Sequence, residues 1–164
     1  MSRVAVSACL LGRACRYDGG SSAHPGVETW AKQVLSEGGE IIAVCPEEAG
    51  GLGTPRPAAE LRGGGGAEVL AGTAQVCRVD TGEDVSSAFV EGAMRSAEEA
   101  GQLDRAVLKA RSPSCGCGAA WQDGEVRAVD GVFAALLRSK GIPIGTEEAR
   151  DPALGEFAPP LPSR

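Results

Sequence analysis

Residues 3–44 spell a strand, a helix and a second strand in close succession, and this pattern narrows the chain to folds built on a parallel sheet. "RVAVSA" (3–8) is a short apolar run of buried-strand type. "HPGVETWAKQVLSEGG" (24–39) sets Val27, Trp30, Val34 and Leu35 on one helical face and stops at Gly38-Gly39. "EIIAV" (40–44) is strand-like again. Two strands joined by one crossover helix run parallel, because a tight turn cannot bring the second strand back in the same direction. Farther on, "DVSSAFVEGAMRSAEEAG" (84–101) reads as a helix begun by Asp84, "RAVLKA" (105–110) as a third strand, "DGVFAALLRSKG" (130–141) as a helix and "IPIG" (142–145) as a short fourth strand. Between these, "AEVLAGTAQVCRV" (67–79) suggests a small hairpin turning at Ala71-Gly72. Aromatics are only 4% of the chain against 43% hydrophobic residues, so the core must be aliphatic, as suits helices packed on a buried sheet. The expected fold is α/β, one domain over residues 1–150, followed by an irregular tail over 151–164 with Pro152, Pro159, Pro160 and Pro162.

Composition removes several functional classes. The net charge of −6 argues against a nucleic-acid binder, since phosphate contacts need clustered Lys and Arg. The apolar run Val4–Leu11 is too short to span a bilayer and lacks the layout of a signal peptide, so a cytoplasmic protein with a small-molecule partner is expected. In a reducing compartment the six cysteines read as metal ligands or catalytic groups rather than as a disulfide framework.

Three cysteines share one position in the strand pattern. Cys9 follows the first strand, Cys45 the second, and Cys115 lies a few residues beyond the third. Parallel strands bring their carboxyl ends to one edge of the sheet, where open α/β folds bind ligands, so the three thiols are expected to converge. Three thiolates without an equivalent fourth would leave one coordination position open, which implies catalysis rather than scaffolding. The loops around them are polar and glycine-rich: "CPEEAGGLGTPRPAAE" (45–60) places Glu47 and Glu48 directly beyond Cys45, and "SPSCGCG" (112–118) surrounds Cys115 with Ser112 and Ser114. Cys77 reads as a core thiol between Val76 and Val79, Cys117 as a spare thiol, and Cys15 as a neighbour of the site in the loop of Cys9. His24 reads as a helix cap, Arg56 as a structural partner for a carboxylate such as Glu60, and Trp30 and Trp121 as packing residues.

Four stretches, "VSACLLGRACRYDGG", "CPEEAGGLGTPRPAAEL", "AVLKARSPSCGCG" and "DGVFAALLRSKGI", together resemble the bacterial thiouracil desulfidase family over most of residues 4–148. The resemblance implies a Rossmann-like three-layer domain with cysteine loops at the carboxyl ends of a short parallel sheet. It further implies a 4Fe-4S cluster on Cys9, Cys45 and Cys115, whose fourth iron takes the sulfur of a thiolated pyrimidine base or nucleoside such as 4-thiouracil. Glu47 or Glu48 and Ser112 or Ser114 would then stand beside the open iron. Exchange of a thiocarbonyl sulfur for oxygen consumes water and releases sulfide without net redox change, so a soft metal, a carboxylate base and an orienting hydroxyl are the groups it needs. Tyr17 and Asp18 are further candidates for contact with a pyrimidine.

Two other classes fit the cysteines. One is a zinc protein closing a tetrahedral site on Cys9, Cys45 and Cys115 with Cys15 or His24. The other is an iron–sulfur carrier or redox sensor, for which Glu47, Glu48, Ser112 and Ser114 would be dispensable.

Overall fold

The computed structural model describes residues 2–148 of the 164, so the proline-rich tail expected over 151–164 lies outside the described residues. Four parallel strands form the main sheet: β1 (Arg3–Ser7), β2 (Glu40–Val44), β5 (Arg105–Leu108) and β8 (Ile144–Thr146), in the order β2-β1-β5-β8. Their side chains divide by the period of two that a pleated strand imposes. Val4, Val6 and Val107 pack with Val27, Trp30 and Val34 of helix α1 (Pro25–Ser36). Ala5, Ala106 and Leu108 face the other way, toward Phe89 and Ala93 of α4 (Ser86–Ala100) and Phe133 and Leu137 of α5 (Val132–Ser139). Helices therefore cover both faces of the sheet, as the apolar character of its strands requires. Each fully buried Val, Leu or Phe contributes roughly 1.5–3 kcal/mol.

A second, mixed sheet forms from β3 (Ala59–Arg62), β4 (Gln75–Arg78), β6 (Ala120–Gln122) and β7 (Glu125–Arg127), ordered β4-β3-β6-β7. Here one expectation is corrected. Residues 67–79 are not a hairpin: Gly66–Ala71 is the short helix α3, and only Gln75–Arg78 is a strand, paired antiparallel with β3. Gly72 has φ +81° and its N–H bonds back to the helix, so the glycine that suggested a hairpin turn is a helix C-cap. Among the described residues no helix is long and apolar enough to cross a membrane.

The single-turn helix α2 (Pro46–Ala49), directly after Cys45, is fixed by a close approach to α4. A Cβ on Gly92 would meet the carbonyl oxygen of Pro46 at 1.8 Å, and one on Gly50 would meet that of Ala88 at 2.0 Å. Only glycine at both positions lets the backbones touch. Gly92→Ala is therefore expected to lower stability by about 1–3 kcal/mol or more in urea denaturation, as overpacking does, whereas Glu98→Ala on the exposed face of α4 should change it by no more than about 0.5 kcal/mol.

Candidate functional site

The topology places the cysteines as expected. Cys9 lies in a 3-10 turn (Ala8–Leu11) directly after β1, Cys45 is the N-cap of α2 directly after β2, and β1 and β2 end in register at Ser7 and Val44. Cys115 sits in the loop after β5. All three line one cavity of about 480 Å³, joined there by Cys15. The volume suits a small-molecule site. Cys77 is buried in β4 and outside the cavity, and Cys117 is held by Arg138 (Nη2–Sγ 3.5 Å). His24 is also outside it, its Nδ1 accepting the Val27 N–H at 3.1 Å as a helix cap does.

The Cys115 loop is held by the start of α5. The first amides of that helix have no partner within the helix, and they donate to the loop instead: Val132 N to Pro113 O at 2.9 Å, Phe133 N to Ser114 O at 2.8 Å and Ala134 N to Ser114 O at 3.1 Å. Ser112 Oγ in turn accepts the N–H groups of Ser114 and Cys115, each at 3.1 Å. The loop is thus pinned from both sides, and the Cys115 thiol is carried on fixed backbone.

The thiols are strongly desolvated. Burial pushes Cys9 up to about 11, partly offset by the Lys109 ammonium, and Cys15 up to about 12, with Cys45 adding to the rise. Burial also pushes Cys115 up to about 12, against hydrogen bonds from Ser7 and Ser114. Near neutral pH these groups hold their protons, so a metal bound here must displace them. The cavity wall carries four cysteine sulfurs and no imidazole, beside the carboxylates of Glu47 and Glu60, and the sulfurs suit soft metals and iron–sulfur clusters.

Glu47, Ser112 and Ser114 line the same cavity and form a hydrogen-bonded chain. Ser114 Oγ donates to Glu47 Oε2 at 2.9 Å, and the two serine oxygens are 3.0 Å apart. Because Ser112 Oγ already accepts two amides, its own proton is directed to Ser114. Glu48 does not line the cavity: Thr54 Oγ1 donates to it at 2.6 Å and Arg13 at 2.8 Å. One oxygen of Glu48 nonetheless lies within 4.8 Å of the sulfurs of Cys15 and Cys45.

Two further expectations change. Arg56 does hold a carboxylate, but it is Glu47 (Nε–Oε1 3.1 Å) rather than Glu60, which pairs with Arg62. The same guanidinium donates to Cys15 O at 2.9 Å, Gly53 O at 3.2 Å and Thr54 Oγ1 at 3.0 Å. Trp121 is not a core residue: it is 46% exposed and lines the cavity, while Trp30 is buried as expected. The sequence reading also overlooked Lys109, which lines the cavity and pairs with the buried Glu147 (Nζ–Oε2 3.2 Å). The other oxygen of Glu147 accepts the Ala110 N–H at 2.7 Å. Lys109 and Glu147 are the residues immediately beyond β5 and β8, the same rule of position that marked Cys45.

The family model for 2-thiouracil desulfurase matches residues 4–149. The chain belongs to the 2-thiouracil desulfurase family. A relative in Bacillus subtilis (strain 168), the uncharacterized protein YbbK, is 37% identical over 149 residues, covering 88% of this chain and 95% of its own. A solved structure of the 4Fe-4S-dependent thiouracil desulfidase TudS matches with a TM-score of 0.75 at 39% identity, covering 90% of this chain and 91% of that one. The resemblance read from the four stretches and the α/β fold are thereby confirmed, and the chain is an enzyme of the desulfurase class.

In this desulfurase-family chain Arg56 ties Glu47, on the Cys45 loop, to the Cys15 loop, and its side chain is 6% exposed against 16% for Glu47. Removal of one partner from a buried ion pair costs about 3–5 kcal/mol, less where water reaches the survivor. Arg56→Met is expected to lower stability by about 2–4 kcal/mol in chemical denaturation. Arg56→Lys should recover only part of this loss, because an ammonium cannot form the planar fork.

Proposed function

We propose that this protein removes the sulfur of a thiolated pyrimidine base or nucleoside, 4-thiouracil or a close analogue, by exchange for the oxygen of water. The observation that carries the reading is the cavity in which the thiols of Cys9, Cys45 and Cys115 stand beside a carboxylate, Glu47, that accepts a hydrogen bond from Ser114. The cysteine thiols fit an iron–sulfur cluster, and Cys9, Cys45 and Cys115 would hold it, each from the segment that follows one of three neighbouring strands. When bound, a 4Fe-4S cluster on three thiolates supplies one iron without a protein ligand, a soft Lewis acid matched to a thiocarbonyl sulfur.

The chain's own residues account for the proton transfers. Glu47 is the general base toward water: its carboxylate lines the cavity, and Arg56 and Ser114 orient it. Ser112 and Ser114 form a directed pair of hydroxyls that positions the substrate or passes a proton to Glu47. Glu48 anchors the loop through Arg13 and Thr54. The reaction balances as thiocarbonyl plus water giving carbonyl plus hydrogen sulfide, with no electron donor required. The net charge of −6 supports a free base or nucleoside over RNA as substrate, and six cysteines outside any disulfide suit the reducing cytoplasm.

A second reading rests on Cys15, Cys45 and Glu48, whose donor atoms lie within 4.8 Å of one another, a spacing that suits a single ion such as zinc. The engagement of Glu48 by Arg13 and Thr54 weighs against it. Anaerobic purification with iron, sulfide and zinc analysis, an absorption spectrum and a 4-thiouracil assay on the same sample decide between the two. Iron and sulfide with turnover are expected; stoichiometric zinc without turnover would replace this reading by the second.

Two sets of variants extend the test. Cys9→Ser, Cys45→Ser and Cys115→Ser should each lose most iron, since a hydroxyl replaces thiolate poorly, while Cys77→Ser keeps it. Glu47→Gln should keep the iron and lose about 10²–10⁴-fold in turnover, against a small loss for Glu48→Gln.

A further inference from the structure

Aromatic side chains are scarce in this protein, and their placement is uneven. Phe89, Phe133 and Trp30 are buried in the two cores. Tyr17 and Trp121 are 43% and 46% exposed, and both line the cavity. A half-exposed indole forgoes burial energy that the neighbouring position collects: Ala120 on the same strand is fully buried, so the alternation of β6 turns Trp121 away from the core. Its register partner Val126 is exposed as well, and Val79 adds apolar surface to the cavity wall.

The backbones that carry these two rings are fixed to the cysteine loops. Trp121 N–H donates to Arg111 O at 3.2 Å, at the start of the segment that bears Ser112 and Cys115. Tyr17 O accepts the Arg56 N–H at 2.7 Å, two residues beyond Cys15. The Arg16 guanidinium stands 5.7 Å from the Tyr17 ring centroid, so one cation already engages that ring. Trp121 is the larger surface of the two and the more favourable platform for a flat heterocycle.

We propose that Trp121, assisted by Tyr17, is the specificity determinant of the site: it stacks on the substrate ring and selects planar heteroaromatic thiocarbonyls over aliphatic thioamides. The proposal rests on the desulfidase reading for the identity of the ring. It also accounts for a cavity whose charged lining groups each have an ion-pair partner: Glu47 with Arg56, Lys109 with Glu147, Arg111 with Glu148, Glu60 with Arg62 and Arg16 with Asp18. Stacking on an aromatic side chain depends on the π-face of the base and needs no unpaired charge.

The test uses the iron-loaded protein and three small molecules: 4-thiouracil as substrate, uracil as a sulfur-free ligand and thioacetamide as an aliphatic thioamide. Trp121→Ala is expected to raise the KM for 4-thiouracil and the calorimetric Kd for uracil in parallel, by about 5–150-fold, the range of one base–aromatic stack. Its kcat should stay within about threefold, its iron content should be unchanged and its action on thioacetamide should be unaltered, as loss of uniform ring binding requires. Trp121→Phe should recover most of the affinity. An unchanged uracil Kd in Trp121→Ala, equal losses for thioacetamide and 4-thiouracil, or failure of the unsubstituted protein to bind uracil would each overturn the proposal. Uracil binding that depends on Trp121, in a protein that leaves 4-thiouracil intact, would instead overturn the desulfidase reading and leave the stacking role standing.

Discussion

The Arg56 guanidinium is the fixed point about which the site is organised. Its fork donates to Glu47 and to the Gly53–Thr54 turn on its own loop and to the carbonyl of Cys15, 41 residues away, so the Cys45 and Cys15 loops meet on one planar group. No lysine could do this, because an ammonium offers donors without a plane. Its burial makes each bond stronger than it would be in water and makes each unmade bond costly. Glu47 is oriented because Arg56 holds one oxygen and Ser114 the other.

A second constraint comes from the sheet. The order β2-β1-β5-β8 sends the chain from β1 to one side and later to the other, and ligands in open α/β sheets bind outside the carboxyl ends at such a switch. Cys9, Cys45, Lys109 and Glu147 all follow strands at that edge, so the same geometry brings thiols and an ion pair to one place. Around it, helix starts and close glycine contacts convert loops into fixed backbone: α5 caps itself on the Cys115 loop, and α2 rests on α4 where no side chain intervenes. Backbone hydrogen bonds and close packing thus fix the loops that carry the proposed site.

Much of this was legible from local pattern. The strands at 3–8, 40–44, 105–110 and 142–145 and the helices at 24–39, 84–101 and 130–141 all exist, with ends shifted by a few residues. Hydrophobic period and terminating glycines are properties of adjacent residues, so they survive without knowledge of the rest. The second sheet was less accessible: its strands are only three or four residues long, too short for a period to register. Asp123-Gly124 between β6 and β7 is a hairpin turn with both residues at positive φ, a signal that was present but unread. Gly72 misled for the opposite reason, since a left-handed glycine ends a helix as readily as it turns a hairpin.

From sequence alone came the parallel α/β order, the meeting of Cys9, Cys45 and Cys115 at one edge, and the desulfidase resemblance, which in turn implied Glu47 or Glu48 and Ser112 or Ser114 beside them. These follow from topology and from motifs whose residues are close in the chain. The tertiary structure alone decided that Arg56 grips Glu47 and not Glu60, that Glu48 turns to Arg13 and Thr54, that Trp121 faces the cavity, and that Lys109 meets Glu147. Ser114 and Glu47 are 67 residues apart and Ala110 and Glu147 are 37 apart. Among several carboxylates and cations of equal chemistry, only the packing of distant segments selects which pair is within bonding reach, because hydrogen bonds act over about 3 Å while local sequence patterns say nothing of that distance.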